Sequence, residues 1–433
     1  MQINPVKGTH DIYNEESKEY SLLINQASNI AERFNYVKMT TPILESTNLF
    51  VRSVGESSDI VNKEMYTFLD KGGRSLTLRP EVTAGIMRSI ATNKLYANAE
   101  LPLKYYYVGP CFRYERPQAG RYRQFHQFGI EAVGNPSAQL DAETISLGYL
   151  YLKSLKFSNV KVVINSLGDE ETRINYRNAL KQYFSQYIEN MCEDCKRRFE
   201  TNPLRILDCK VPEDNEIAKN APKLSDFLSD NAREYFDKVL NLLKLFGVDN
   251  IVIDNSLVRG LDYYTGVVWE YHISSNDATD VGAIGGGGHY KNLLKEIGGP
   301  DLEGVGLAIG LERAHYLWST LVKKEPVDNK LDFYIAPMGD NALEVGIKFA
   351  TSLREKGYSV SIPYENKSLK SLLKSASKSN AKFAIIIGDE EINNDNYIIK
   401  DLSNGVQTNI KFNDIVGEQL NLNNEIIEKL NNK

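Results

Sequence analysis

The 433-residue sequence predicts an α+β fold with a helical insertion, followed by a smaller α/β unit. Three observations carry this reading. Two aromatic, strand-like runs, 103–115 and 123–134, flank a loop holding Pro117 and Gly120, as in a long hairpin. Residues 170–250 switch to charged, helix-forming sequence. Beyond VKKEPVDNK, the apolar runs LDFYIAP, YSVSIP and KFAIIIG alternate with helical segments, the signature of a βαβαβ unit. The implied domains are 1–169 together with 251–327, then 170–250, then 328–433.

Leu23, Ala27, Ile30, Ala31 and Phe34 recur at spacings of three and four, so residues 16–35 form a helix with one apolar face. The chain up to Pro42 and the following ILESTNLF read as extended, because a residue before proline is pushed out of the helical region. In the hairpin, the two-residue period puts Arg113 and Glu115 on one strand face, and Gln127, Gly129 and Glu131 on one face of the other strand, with His126 opposite. IVIDNSLVRGLDYYTGVVWEYHI returns to strand character, and GVGLAIGLERAHYLW (304–318) is a buried strand breaking into a helix at Gly310.

Composition excludes several classes. With 42% hydrophobic and 25% charged residues the chain is an ordinary soluble globular protein. MQINPVKGTHD lacks the apolar centre of a secretion signal, and no apolar run approaches the roughly 18 residues of a membrane span, so a cytoplasmic location is expected. Four cysteines are too few for a disulfide framework. A formal charge of −6 argues against wholesale coating of nucleic acid but permits local basic patches.

Two such patches stand out. Arg113, Arg116, Arg121 and Arg123 fall within eleven residues of the hairpin, and guanidinium groups keep their charge and present a planar fork suited to phosphate. A solvated, salt-bridged hairpin is the plainer reading; Gln127 and Glu131, polar where a core strand carries aliphatics, favour a site. Lys367, Lys370, Lys374 and Lys378 form a basic stripe opposite Leu369, Leu372, Leu373 and Ala376, suited either to solubility or to a phosphate backbone. In LVRGLDYYTG (257–266), the plainer reading gives Arg259 an ion pair with Asp262 and leaves Tyr263 and Tyr264 to strand packing. Cys192, Cys195 and Cys209 have part of a zinc pattern, but the five histidines lie far away in sequence and no fourth ligand is evident. Reduced structural thiols are the preferred reading there, and metal ligation stays open.

The helix and strand ending near Pro42, then FRYERPQAGRYRQFHQFGIE and GLAIGLERAHY, resemble motifs one, two and three of class II aminoacyl-tRNA synthetases. TLRPEVT (77–83) and LVRGLDYYTG resemble the two stretches particular to the histidyl-tRNA synthetase branch, and the likeness runs over essentially the whole chain. The resemblance implies an antiparallel catalytic sheet with flanking helices, a C-terminal α/β anticodon-binding domain, and a homodimer with Pro42 near its interface. It implies activation of L-histidine by ATP, accompanied by Mg²⁺ whose ligands stay unknown, and transfer of histidine to the 3′ end of tRNA(His).

Residue by residue, the resemblance implies that Arg113 and Arg259 face the α-phosphate from opposite sides and that Arg313 meets the distal phosphates. Glu115 falls near the adenine, and Arg121 near the phosphates or the RNA end, with Gln118 beside it. Glu81 and Tyr264, with Tyr263 adjacent, match the imidazole, while Thr83, Gln127 and Glu131 hold the α-amino group. Lys370 and Lys374 would face tRNA. The glycines of AIGGGGHYKNLL lack a dinucleotide-fingerprint spacing and would let a backbone approach ATP or a neighbouring chain. The sequence departs from the family at His289 and Lys291, where an arginine and a small residue are usual, and at Val82, where glycine or methionine is common. Two alternatives are a catalytically inactive paralogue serving as regulatory subunit of ATP phosphoribosyltransferase and a non-catalytic RNA-binding or sensor module. The first would shed some of Arg113, Arg259 and Arg313 and the C-terminal domain, the second the polar histidine pocket, and all are present.

Overall fold

The computed structural model describes residues 3–55, 58, 60–261, 263–273, 282–322 and 331–411. The first helix, α1 (Asn14–Arg33), buries Leu23, Ala27, Ile30 and Ala31, the stripe its spacing predicts. After β1 (Val37–Lys38) the stretch ILESTNLF divides: β2 (Leu44–Ser46) is extended, but α2 (Thr47–Val54) is helical. Proline constrains only the residue before it, whereas Leu49, Phe50, Ser53 and Val54 share one buried helical face, and that spacing decides the local structure. Strands β3 (Tyr66–Leu69) and β4 (Ser75–Leu78) complete a small sheet of order β2-β4-β3, which leads into α3 (Thr83–Thr92).

The central sheet begins with the predicted hairpin, β5 (Leu103–Phe112) and β6 (Gln124–Val133), in a register that sets Gln127 opposite Gly109 and Glu131 opposite Tyr105. Next come α4 (Ala138–Ser154) and β7 (Val160–Ser166). The charged stretch forms α5 (Glu170–Phe184), α6 (Glu193–Thr201), α7 (Pro212–Lys219) and α8 (Asp230–Leu245). Then follow β8 (Ile251–Ile253), β9 (Tyr264–Ile273), β10 (Gly285–Tyr290), α9 (Leu293–Glu296), β11 (Gly304–Gly310) and α10 (Leu311–Leu321). The eight strands run β1-β5-β6-β11-β10-β9-β7-β8, antiparallel from β5 to β7 with one parallel strand at each edge.

One face of this sheet packs Phe128, Ile130, Trp269 and Ile309 against α1, α4, α8 and α10. On the other face Tyr107, Tyr264, Val268 and Tyr290 meet a second core that includes Tyr176, Leu180 and Phe184 of α5. These two clusters share out the charged stretch, α8 going to the first and α5 to α7 to the second. Contacts group Met1–Lys323 into one compact unit and Lys324–Lys433 into another.

The second unit opens with β12 (Leu331–Pro337), α11 (Asp340–Glu355), β13 (Val360–Ser361), α12 (Leu369–Lys378) and β14 (Ala381–Ile387). Its βαβαβ core is parallel, as the sequence predicts. It continues through α13 (Asp389–Asn393), β15 (Asn396–Asp401) and β16 (Gln407–Lys411), two antiparallel strands at the far edge of a sheet ordered β13-β12-β14-β15-β16.

Candidate active site

A cleft of about 840 Å³ opens on the second face of the large sheet, and residues from β5, β6, β9, β10, β11, α10 and the 254–264 segment line it. Residues 254–261 of that segment read as strand in the sequence but form a loop. Asp254 Oδ1 accepts the Ser256 N–H at 2.9 Å and hydroxyl at 2.6 Å, and Leu257 N–H donates to the Asp254 carbonyl at 3.0 Å, a turn that ends β8 and carries Arg259 out over the sheet.

TLRPEVT crosses the cleft under firm constraint. Arg79 is buried and donates to the carbonyl of Thr41 (3.0 Å) and of Pro110 (2.8 Å), fixing the turn that follows it. Glu81 Oε1 accepts the Ala84 N–H at 3.0 Å, while Oε2 is buried with no hydrogen-bond partner, and burial holds this carboxyl above the ordinary glutamate value. Glu131 is 1% exposed; Thr83 Oγ1 donates to its Oε1 at 2.6 Å and the Tyr290 hydroxyl to its Oε2 at 2.7 Å. Burial pushes Glu131 up to about 8, with Glu81 adding to the rise and the two hydroxyl donors opposing it. Gly306 on β11 is required here, since a Cβ would stand 2.0 Å from Glu131 Oε2.

The tyrosines form the cleft's inner wall. Tyr263 and Tyr264 have ring centroids 4.6 Å apart, and Tyr290 lies 5.7 Å from Tyr263. Gly288 admits Tyr264, because a Cβ there would come within 2.4 Å of its ring. Burial raises the Tyr264 phenol, against the opposing charge of Arg259, so it remains a hydroxyl donor at neutral pH. Gln127 Oε1 accepts the Cys111 thiol at 3.3 Å.

The other end is cationic. Arg113 Nε donates to the Pro80 carbonyl at 2.9 Å, with its guanidinium 5.3 Å from the centre of the Phe125 ring. Glu115 lies between two arginines, 2.9 Å from Arg121 Nε and 3.9 Å from Arg113 Nη1. Gln118 and Arg121 close the hairpin tip by paired backbone bonds, and Gly120, at a φ of 67°, seats that tip on Arg313. Arg313 donates to the Ala283 carbonyl; burial and then the nearby Arg121 charge lower its pKa. Across the cleft Arg259 is ion-paired to Glu270 and has a buried, unpartnered Nε. Asp262, its partner in the plainer sequence reading, lies outside the described residues. The glycine run makes room for the chain's own side chains, since a Cβ on Gly286 would lie 3.1 Å from the Arg259 guanidinium.

The cleft therefore brings together Glu81, Thr83, Gln127, Glu131, Tyr263 and Tyr264 with Arg113, Glu115, Gln118, Arg121, Arg259 and Arg313. Lys370 and Lys374 are exposed on α12 of the second unit, and Lys367 precedes that helix. Sequence reasoning missed Tyr107, Glu270 and Tyr290, all in the lining. Glu270 had a signal, as the one charge within VVWEY. Tyr107 had a subtler one in Gly129, which faces it across the hairpin and where a Cβ would collide at 2.3 Å. His126 binds Glu312 through its backbone N–H and Nδ1, joining β6 to α10. His289 sits between Asp141 (3.1 Å) and Glu303 (2.8 Å); burial works against its charge, but the two carboxylates carry it up to about 9. The departure at that position thus keeps a cation, balanced within the chain.

The family model described as histidyl-tRNA synthetase matches residues 8–314, and one described as anticodon binding domain matches 332–421. A curated relative from Halothermothrix orenii, histidine–tRNA ligase, is 44% identical over 98% of this chain and 100% of its own length. The chain belongs to the histidyl-tRNA synthetase family. Among solved members of that family, apo S. aureus histidyl-tRNA synthetase superposes with a TM-score of 0.83 at 35% identity, covering 96% of this chain and 99% of that one. A Bacillus halodurans protein titled ATP phosphoribosyltransferase regulatory subunit/histidyl-tRNA synthetase gives 0.64 at 22% identity, over 90% of this chain and 99% of that one, a likeness of fold alone.

Proposed function

We propose that the cleft activates L-histidine with ATP and passes the histidyl group to the 3′ end of tRNA(His). The observation that carries this reading is the buried, unpartnered Glu81 Oε2 in a pocket that opens directly onto four arginines. A neutral imidazole offers one N–H donor and one bare nitrogen. Glu81 Oε2 accepts the first and the Tyr264 hydroxyl donates to the second, with Tyr263 packing alongside. Thr83, Gln127 and Glu131 hold the α-amino group, where an ammonium restores the ionised state that burial disfavours in Glu131. An amino acid without a polar ring edge leaves these groups unpaired, which accounts for discrimination of roughly 10⁴-fold without an editing site.

Activation brings a carboxylate and a triphosphate together. The histidine carboxylate oxygen forms a bond to the α-phosphorus as the bond to pyrophosphate breaks. Arg113 and Arg259 stabilise the charge growing at that phosphorus from two sides, and Arg313 holds the departing pyrophosphate. Glu115 faces the adenine and Arg121 the phosphates or RNA. Mg²⁺ enters with ATP as part of the substrate. In the second step a 3′-terminal ribose hydroxyl attacks the activated carbonyl and AMP leaves, with the tip at Gln118 and Arg121 meeting the acceptor end.

Two further features follow from the same reading. Lys370 and Lys374 contact the RNA backbone, supported by their exposure on a domain of the anticodon-binding type. The exposed Ile43, Leu44, Phe68 and Leu69 near Pro42 support burial of that surface in a homodimer. The regulatory-subunit alternative is less favoured, because Arg113, Arg259, Arg313 and the C-terminal domain are all retained. ATP–pyrophosphate exchange tested against all twenty amino acids is the decisive assay. Exchange with histidine alone is expected; no exchange, or exchange with another amino acid, contradicts the reading.

A further inference from the structure

We propose that Cys192, Cys195, Cys209 and Asp214 form a closed, four-coordinate site for a thiolate-preferring divalent metal of the zinc class. The sequence supplies three of the donors in a recognisable pattern, and folding supplies the fourth. Asp214 escapes notice in the sequence because it sits in PED at the start of α7, where acidic residues ordinarily complement the helix dipole. In the structure the donor atoms of all four residues lie within 4.8 Å of one another.

The spacings match a metal tetrahedron. Zinc–sulfur bonds of about 2.3 Å in tetrahedral geometry set sulfurs about 3.8 Å apart, and a carboxylate oxygen about 3.6 Å from each sulfur. Cys192 Sγ and Cys209 Sγ are 3.9 Å apart, and Cys209 Sγ is 3.5 Å from Asp214 Oδ2. A disulfide would need its sulfurs at about 2.05 Å.

The buried carboxylate points the same way. Asp214 is 2% exposed, yet no Lys, Arg or His pairs with it among the described residues. Its Oδ2 receives only the Cys192 N–H at 3.0 Å and thiol contacts, which are weak donors for a buried carboxylate. A divalent cation would give that oxygen the strong partner it lacks. Cys192 is the N-cap of α6 and Cys195 lies one turn on, so a single helix start supplies two of the four donors. Three sulfurs select zinc over magnesium, calcium or manganese, and four protein donors leave no position for substrate, so the role is structural.

Such a metal would pin α6, α7 and the 3₁₀ turn between them (Pro203–Asp208) to one point. That turn bears on the cleft: Arg205 Nη1 donates to the Arg259 carbonyl at 2.9 Å, and Leu207 lines the cavity. The proposal stands independently of the reaction assigned to the cleft.

The test uses the full chain, purified under reducing conditions without chelator. Elemental analysis should find about one zinc per chain, released by a mercurial thiol reagent. Exchange with cobalt(II) should give intense visible bands of tetrahedral cobalt with a thiolate charge-transfer band. Cys209→Ser and Asp214→Ala should each weaken zinc binding roughly tenfold or more, and Asp214→His, which restores a donor, should keep the metal. A fully reduced, folded chain that holds no zinc and gives no cobalt spectrum overturns the proposal. So does an Asp214→Ala protein that binds zinc as tightly as the parent, or a Cys192–Cys209 disulfide in the native chain by mass spectrometry.

Discussion

At the end of the cleft lined by Glu81, Glu131 and Tyr290, the polar groups are deeply buried and fixed on one another, with one carboxylate oxygen left over. At the opposite end, Arg113, Arg121, Arg259 and Arg313 each already hold a carbonyl or carboxylate of the chain itself. Under the proposed function, the first end is matched to its ligand before it arrives. The second holds its cations on backbone carbonyls or carboxylates, which under the proposed function a phosphate would displace. On the proposed function, selectivity belongs to the rigid end and rate to the end that changes partners, and mutations at the two ends should fail differently.

The largest effect is expected at the phosphate end. Arg259→His should lower histidine-dependent pyrophosphate exchange by about 10²- to 10³-fold, the usual cost of one positioned transition-state donor, while circular dichroism and histidine binding stay near normal. Unchanged exchange would remove Arg259 from the α-phosphate. At the rigid end, Glu81→Gln removes a charged acceptor worth about 1.5 to 3 kcal/mol, so calorimetry without ATP should show histidine binding weakened about 10- to 100-fold. Parent-like affinity there would mean that the imidazole does not meet this carboxylate.

A pH experiment sharpens the contrast further. Glu131 titrates at about 8 in the folded chain against an ordinary 4.5, so its neutral form contributes stability fully present below 4.5 and lost as pH rises through about 8. Glu131→Gln should therefore gain thermal stability over the parent across that window, with little difference at pH 4.5. Histidine binding at pH 7 should expel close to one proton as the ammonium pairs with the carboxylate. Calorimetry in buffers of different ionisation heat reads this directly, and buffer-independent heats would contradict it. The smallest effect belongs to α12: Lys370→Ala with Lys374→Ala should raise the KM for tRNA several-fold, flatten its salt dependence and leave pyrophosphate exchange untouched. An unaltered KM and salt dependence would reduce these lysines to solubilising residues.

The contrast also explains what the sequence made legible. Elements whose apolar period is long and uninterrupted, such as α1, the β5–β6 hairpin and the β11–α10 junction, were readable because local spacing alone sets their buried face. α2 was misread because a pre-proline rule was extended past its reach. The arginines and Glu81, Glu131 and Tyr264 were legible through motifs. Tyr107, Glu270 and Tyr290 were not, because their roles depend on which residue faces them across strands distant in sequence, and on Gly129 and Gly304 leaving room. Asp214 was hidden for a related reason: its partners converge only once α6 and α7 pack together.

The most direct test of the two-ended cleft is a crystal structure with a non-hydrolysable histidyl-adenylate analogue. The imidazole N–H should lie within hydrogen-bond distance of Glu81 Oε2, with Arg113 and Arg259 on opposite sides of the single phosphorus and Arg259 drawn away from Glu270. An imidazole bound elsewhere, or Arg259 still held by Glu270 and remote from the phosphorus, would contradict the account.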